Sequence, residues 1–357
     1  MARAWTCYRH TVVIFVVVVG FGLPALVMRP VARAQETESP SLDAISRKVV
    51  VGEIADLLIT HHLTPDVGRA CADHIRARLA DGAYETITDP TQFAGQLTRD
   101  LHTVDDDGHL RVEVGPPHAF LEVDQIDSEE TRQRVYALFR RDNFGFRKVE
   151  ILDDNIGYLE LRQFAPPEVG GDTAVAAMAL LANCDALIID LRANGGGSDG
   201  MVQLLATYFF GHSKHLSSME TRGEPLVTQS WTQSYVPGKR LSATPLFILT
   251  SRRTGSAAEE FTYDLKHHGR ATVIGERTCG SGHSAFLARV ADTFNVVIPQ
   301  GRPIHPVTGT GWERVGVQPD IDVAASQALT RARVEAMKVI RARAGGTTGN
   351  TGEIHAP

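Results

Sequence analysis

Apolar residues recur every three or four positions between Leu42 and about Leu63, at Ile45, Val49, Ile54, Leu57 and Leu58. That spacing gives a helix one buried face. Thr64-Pro65-Asp66 restarts a helix, because Thr caps well and Pro suits the first helical position. The second helix runs to about Ala80, where "DGAYETITDP" breaks it, and "TQFAGQLTRDLHTV" forms a third that begins near Asp89-Pro90. Residues 35–104 therefore read as a small three-helix unit behind a polar lead-in, "QETESPS".

The pattern then changes. "DDDGHLRVEVG" is a turn followed by a short strand, and residues 116–147 are mixed, with no assignable period. "KVEILDDNIGYLELRQF" is a hairpin turning at Asp153-Asp154-Asn155. "DTAVAAMALLANC" is an Ala-rich amphipathic helix. "DALIIDLRANGGGSDG" is a continuous apolar strand running into a glycine-rich turn, and "MVQLLATYFFG" is the helix after it. "PLFILTS" is a second buried strand, followed by a helix from Ser256; "ATVIGE" and "FNVVIP" are a third and a fourth. Alternation of strand and helix predicts an α/β core with parallel strands over 105–324. "ASQALTRARVEAMKVIRARA" closes the chain as a helix, and "GGTTGNTGEIHAP" has the composition of a disordered tail.

The first 34 residues stand apart. Arg3 and Arg9 precede an apolar run over 11–27, and Ala32-Arg33-Ala34 follows it, the plan of a cleaved secretory signal peptide. The rival reading is an uncleaved membrane anchor, for which 17 residues with two Gly and one Pro are at the short limit. Without those residues and their four arginines, 32 basic side chains face 42 acidic ones, a net of about −10. This excludes the electrostatic footprint of a nucleic-acid binder. Cys71, Cys184 and Cys279 remain, an odd count that leaves at least one thiol unpaired within the chain. There is no CxxC and no His/Cys cluster, so neither a metal nor another cofactor is expected.

"TSRRTGSAAEEF" places Ser256 before a helix, and Ser256-Ala257-Ala258-Glu259 fits the capping box S-x-x-E. Taken alone, this serine is a cap. Three segments in order change that reading: "LIIDLRANGGG" (187–197), "LTSRRTGSAAEEFTYDLKHHGRATVIGERTCGSG" (249–282) and "GRPIHPVTGTGWERVGVQPDIDV" (301–323). Together they resemble the tail-specific, or C-terminal processing, peptidase family, which includes the tricorn protease core and the repeats of interphotoreceptor retinoid-binding protein. The resemblance covers roughly residues 148–323 and implies a crotonase- or Clp-protease-like spiral of βα units behind the helical unit. Only about 33 residues separate "VEVG" from the hairpin, too few for the PDZ domain of many members.

The resemblance implies a serine-type peptidase acting on peptides or proteins, and residues 1–34 imply its export, with no stable membrane span once the signal is removed. Ser256 would be the nucleophile, and a serine hydroxyl needs a base. The familiar branch supplies a lysine in a Gly-Lys-Gly triplet, which here reads Gly280-Ser281-Gly282. The tricorn branch uses a histidine just after the helical unit with a glutamate behind it. His109 in "DDDGHLRV" and Glu313 in "GTGWERVGV" match those places, and His283 in "CGSGH" is the competing base. Gly195 or Gly196, with the Ala257 N–H, would bind the oxyanion. Glu259, Asp190 and Arg192 read as structural. Two other functions fit the same scaffold: a non-catalytic protein that binds an apolar ligand or peptide, and a hydrolase of non-peptide esters.

Overall fold

In the computed structural model, residues 42–115 and 129–346 are described. The chain begins with α1 (Ala44–His61), α2 (Pro65–Ala80) and α3 (Pro90–His102). Local chemistry sets their starts. Asp43 and Asp89 each accept a hydrogen bond of 2.7 Å from the N–H three residues on, Ser46 and Gln92. Pro65 and Pro90 open α2 and α3, where a missing N–H costs nothing.

Beyond them come β1 (Arg111–Val114), α4 (Glu129–Arg140), β2 (Phe146–Leu152), β3 (Ile156–Leu161), α5 (Pro167–Leu180), β4 (Ala186–Asp190) and α6 (Asp199–Thr207). Next are β5 (His215–Thr221), β6 (Thr228–Trp231), β7 (Leu246–Thr250), α7 (Ala257–His267), β8 (Thr272–Gly275), β9 (Ser284–Val290), β10 (Phe294–Ile304), β11 (Ile321–Asp322) and α8 (Ala325–Gly346). The signal-peptide reading, most of the C-terminal tail and residues 116–128 lie outside the described residues. Among the described residues, no helix is long and apolar enough to cross a membrane.

Two sheets organise the α/β part. The first has the order β11-β8-β7-β4-β3-β2, parallel throughout except for the antiparallel edge strand β2. Its central strands are buried on both faces, which is why they read as unbroken apolar runs. Along β4, Leu187 and Ile189 pack with α5, α6 and α7, while Ala186 and Ile188 pack beneath α8. The second sheet is antiparallel, ordered β1-β10-β5-β6 with β9 also on β10. The three N-terminal helices bury Val50, Ile54, Leu58, Phe93 and Leu97 against it.

Two expectations change. "FNVVIP" is not a fourth strand of the parallel sheet: it opens β10, which pairs antiparallel with β1, β5 and β9. The parallel sheet is completed instead by β11, too short for its pattern to register. The helix expected from Asp172 starts at Pro167. Gly170, in its first turn, is a contact glycine: a Cβ there would stand 3.1 Å from Phe144 Cβ and 3.2 Å from Ala165 Cβ.

Candidate active site

Strand β7 ends at Thr250, and the chain turns through Gly255 and Ser256 into α7. Ser256 has φ 52° and ψ −127°, a conformation that side chains rarely adopt. Such strain persists only where the surroundings hold it. The holding group is Glu259, fully buried, whose Oε2 accepts the Ser256 N–H at 3.0 Å. The turn stands Ser256 half-exposed at the N-terminus of α7, where the helix dipole favours negative charge. It faces a surface concavity lined by Ser256, Asp199, Glu260, Ser281, His283 and Trp312, among others.

The glycine turn after β4 closes in from the side. Gly196 has φ 113°, and a Cβ there would lie 2.7 Å from Ser256 Cβ and 3.1 Å from Ala257 N. The backbones of the two turns therefore touch beside the serine. The Gly196 N–H donates to Asn194 Oδ1 at 2.8 Å. No hydrogen bond within the described residues takes up the N–H groups of Gly195 and Ala257.

His109 follows α3 in the turn "DDDGH". Its own N–H donates to Asp107 Oδ1 at 2.7 Å, an Asx turn that brings the carboxylate back to the ring, with Nδ1 3.3 Å from the same oxygen. The other ring nitrogen, Nε2, lies 2.8 Å from Ser281 Oγ. A carboxylate at Nδ1 favours the tautomer in which Nε2 is the acceptor. Ser281 occupies the place of the absent lysine, so the hydroxyl at that place is joined to the imidazole. His109 is 4% exposed and reaches the concavity through Ser281.

The other candidate base, His283, lines the concavity itself. Its Nδ1 lies 2.5 Å from Asp107 Oδ2 and 3.8 Å from Glu313 Oε2. Burial alone would lower its pKa, but the Asp107 hydrogen bond and the charges of Glu313, Asp107 and Asp105 raise it. Burial also opposes ionisation of Asp107, and the hydrogen bonds from His109 and His283 overcome it, holding that carboxyl well below the usual range. Asp107, which sequence reasoning passed over, thus carries both histidines.

The Glu313 carboxylate stands in one cluster with Asp107 and His109. Its Oε2 accepts the N–H groups of Gly282 at 2.6 Å and His283 at 2.9 Å, fixing the Ser281 loop, while the group behind His109 is Asp107. Proximity in sequence explains this, since Asp107 closes on a residue two positions along its own turn. Arg314 ties the two loops together by ion pairs to Asp105 and, at 3.0 Å, to Asp106. Asp107, His109 and Glu313 are the group among the described residues that could hold a metal ion. A cation there would have to displace the donors already on both carboxylates. Cys71, Cys184 and Cys279 are all free thiols.

The family model described as peptidase family S41 matches residues 155–323, and the one described as the N-terminal domain of Peptidase S41 in eukaryotic IRBP matches residues 44–142. The chloroplastic C-terminal processing peptidase of Tetradesmus obliquus is 27% identical over 179 residues, which are 47% of this chain and 35% of that protein. The chain spans between 31% and 39% of the lengths of the first three curated relatives it matches. Among solved structures, a lipoprotein from Streptococcus agalactiae superposes with a TM-score of 0.55 at 14% identity, covering 88% of this chain and 99% of that one. The tricorn protease gives 0.52 at 13% identity, over 84% of this chain and 37% of its own. At such identities the structural likeness is one of fold, and it agrees with the α/β architecture expected from the sequence. The two family models together span most of the described residues, helical unit and α/β part alike, and the chain belongs to peptidase family S41.

Proposed function

We propose that the protein is an exported serine-type peptidase that hydrolyses peptide bonds with Ser256 as nucleophile and His109 as base. The observation that carries this reading is Ser256 itself: a strained, half-exposed serine at a helix N-terminus, facing a concavity beside the Gly195 and Ala257 N–H groups. Ser256 Oγ attacks the substrate carbonyl and passes its proton to Ser281 Oγ, whose own proton moves to His109 Nε2. Asp107 stabilises the imidazolium, and the two N–H groups bind the oxyanion. The proton returns to the leaving amine as the C–N bond breaks, and a water then hydrolyses the acyl-enzyme by the same route. Glu313 acts one step back, holding the backbone that presents Ser281.

His283 is the second reading for the base, favoured by its place in the wall of the concavity. Its raised pKa weighs against it, because a protonated imidazole accepts nothing. The polar lining of serines and carboxyls supports hydrolysis over the binding of an apolar ligand. Export rests on the pattern of residues 1–34, and mass spectrometry of protein from the native host should find an N-terminus at or next to Gln35; intact Met1 in the membrane fraction would mean an anchor instead.

Labelling with a fluorophosphonate probe tests the nucleophile. The wild type should label and Ser256→Ala should not. Undiminished labelling of the variant would remove Ser256 from the mechanism.

A further inference from the structure

The concavity that holds Ser256 is floored by acids. Asp199, at the start of α6, and Glu260, in the first turn of α7, both line it and lie within hydrogen-bonding reach of each other. Asp264 follows one helical turn after Glu260, on the same face of α7, and is fully buried. Neither of its carboxylate oxygens has a hydrogen-bond partner.

Buried carboxylates are ordinarily paired with a cation. Among the described residues, no Lys or Arg forms an ion pair with Asp199, Glu260 or Asp264. Ser217 Oγ donates to Glu260 at 3.1 Å, a neutral contact. His305 Nε2 lies 3.9 Å from Asp264, but burial and then the neighbouring His268, His267 and His215 push its pKa down to about 3, so it brings no charge. Burial raises the pKa of Asp199 to about 6, and burial together with the charges of Asp199 and Asp264 raises that of Glu260 well above the ordinary carboxyl value.

We propose that this concavity receives a cationic side chain, lysine or arginine, on the substrate residue whose carbonyl Ser256 attacks. The inference rests on the reading of Ser256 as nucleophile. Serine and acids share one concavity, so the side chain next to the attacked carbonyl is the one that enters. Its ammonium or guanidinium supplies the positive charge that the protein omits, displacing a proton from the Asp199–Glu260 pair. The stems of Lys and Arg are apolar and pack on Met219 and Trp312, which line the same space.

The test uses two peptide diphenyl phosphonates that differ only in carrying lysine or its near-isostere norleucine at phosphorus. Both phosphonylate an active serine, and a generic fluorophosphonate is run beside them. The lysine reagent should react about 10- to 100-fold faster than the norleucine reagent, the range that a charge-assisted hydrogen bond provides. Asp199→Asn and Glu260→Gln should bring that ratio toward one. The ratio is taken within one preparation, so a smaller folded fraction does not alter it, and the wild-type ratio decides alone if a variant fails to fold. Equal or faster reaction with norleucine, while the generic probe still labels Ser256, would overturn the inference. Failure of all three reagents would instead overturn the reading of the nucleophile.

Discussion

Replacing Asp107 with Asn removes a charge and keeps the shape. Asp107 is 1% exposed, and its two oxygens serve two histidines: Oδ1 lies by His109 Nδ1 and Oδ2 by His283 Nδ1. An Asn amide in that place offers N–H to one of these nitrogens, which favours the tautomer whose Nε2 carries a proton and cannot accept one. A wrongly oriented imidazole of this kind costs about 10⁴ in kcat in the serine-protease template. For the proposed route through Ser281, about 10³ to 10⁴ is expected, or about 4–5.5 kcal/mol in the barrier. Glu313→Gln should cost no more than about tenfold, because an amide oxygen still accepts the N–H groups of Gly282 and His283. The assay is hydrolysis of an internally quenched peptide, normalised to the folded fraction by circular dichroism. Stability supplies an independent check. The Asp107 pKa is lowered by folding, so its contribution is present above the unfolded value near ~3.9 and is lost as pH falls. The His283 pKa is raised, so its contribution is full below ~6.5 and fades as pH rises through the folded value. The deficit of Asp107→Asn in denaturant melts should therefore be largest between about pH 5 and 6.5, narrowing on both sides. If Glu313→Gln proves the more damaging substitution, or if the deficit does not vary with pH, the central place given to Asp107 is wrong.

Ser281→Ala should lower kcat by about 10²-fold with little change in KM, since it removes the hydroxyl bonded to His109 on the proposed route from Ser256; full activity in steady-state kinetics would show that the two groups meet directly. His109→Ala should abolish turnover to within about 10³-fold or more, and His283→Ala should be the milder loss; the opposite order would transfer the base to His283. Gly196→Ala should eliminate probe labelling, because its Cβ would lie 2.7 Å from that of Ser256 in a φ region where only glycine rests easily; a normally labelling variant would mean that the two turns do not pack this way in solution.

Much of the architecture could be read from local periodicity. The three N-terminal helices and strands β3, β4, β7 and β8 each carry their signal within a dozen residues. What failed was pairing at long range. The run at 294–299 has the same apolar composition as β4, and nothing local says that it joins Arg111–Val114 and Ser284–Val290 in a second sheet. The candidate site divides the same way. Ser256, Gly195, Gly196 and Ala257 come from two turns whose composition marked them. Asp107 did not stand out, because "DDDGH" offers three adjacent aspartates. The fold separates them, leaving the Asp106 side chain 78% exposed while that of Asp107 is at 1%. Ser281 read as a missing lysine; its contact with His109 crosses 172 positions and becomes visible only once both loops are placed.

Glu259 shows why a structural residue and a site residue are hard to separate here. As a capping-box partner it needs only to accept the Ser256 N–H. In the fold its carboxylate also accepts the N–H groups of Gly280 at 2.7 Å and Ser281 at 2.8 Å, the Thr278 hydroxyl, and the Cys279 thiol at 3.4 Å. One buried side chain thus fastens the strained serine turn to the loop that presents Ser281 and His283. Burial raises its pKa, and these donors pull the other way without cancelling the rise. Glu259→Gln keeps one acceptor oxygen but turns the other into an NH₂ group facing N–H donors. The loss of two or more hydrogen bonds to a charged acceptor should cost about 3 kcal/mol or more of stability. The consequence for chemistry is sharper than for folding. With the clamp gone, Ser256 is released from its positive φ, and the distance between the serine turn and the Ser281 loop is no longer set by one group. Probe labelling should therefore fall further than the folded fraction measured by circular dichroism on the same sample. If the two fall together, Glu259 is a cap and nothing more.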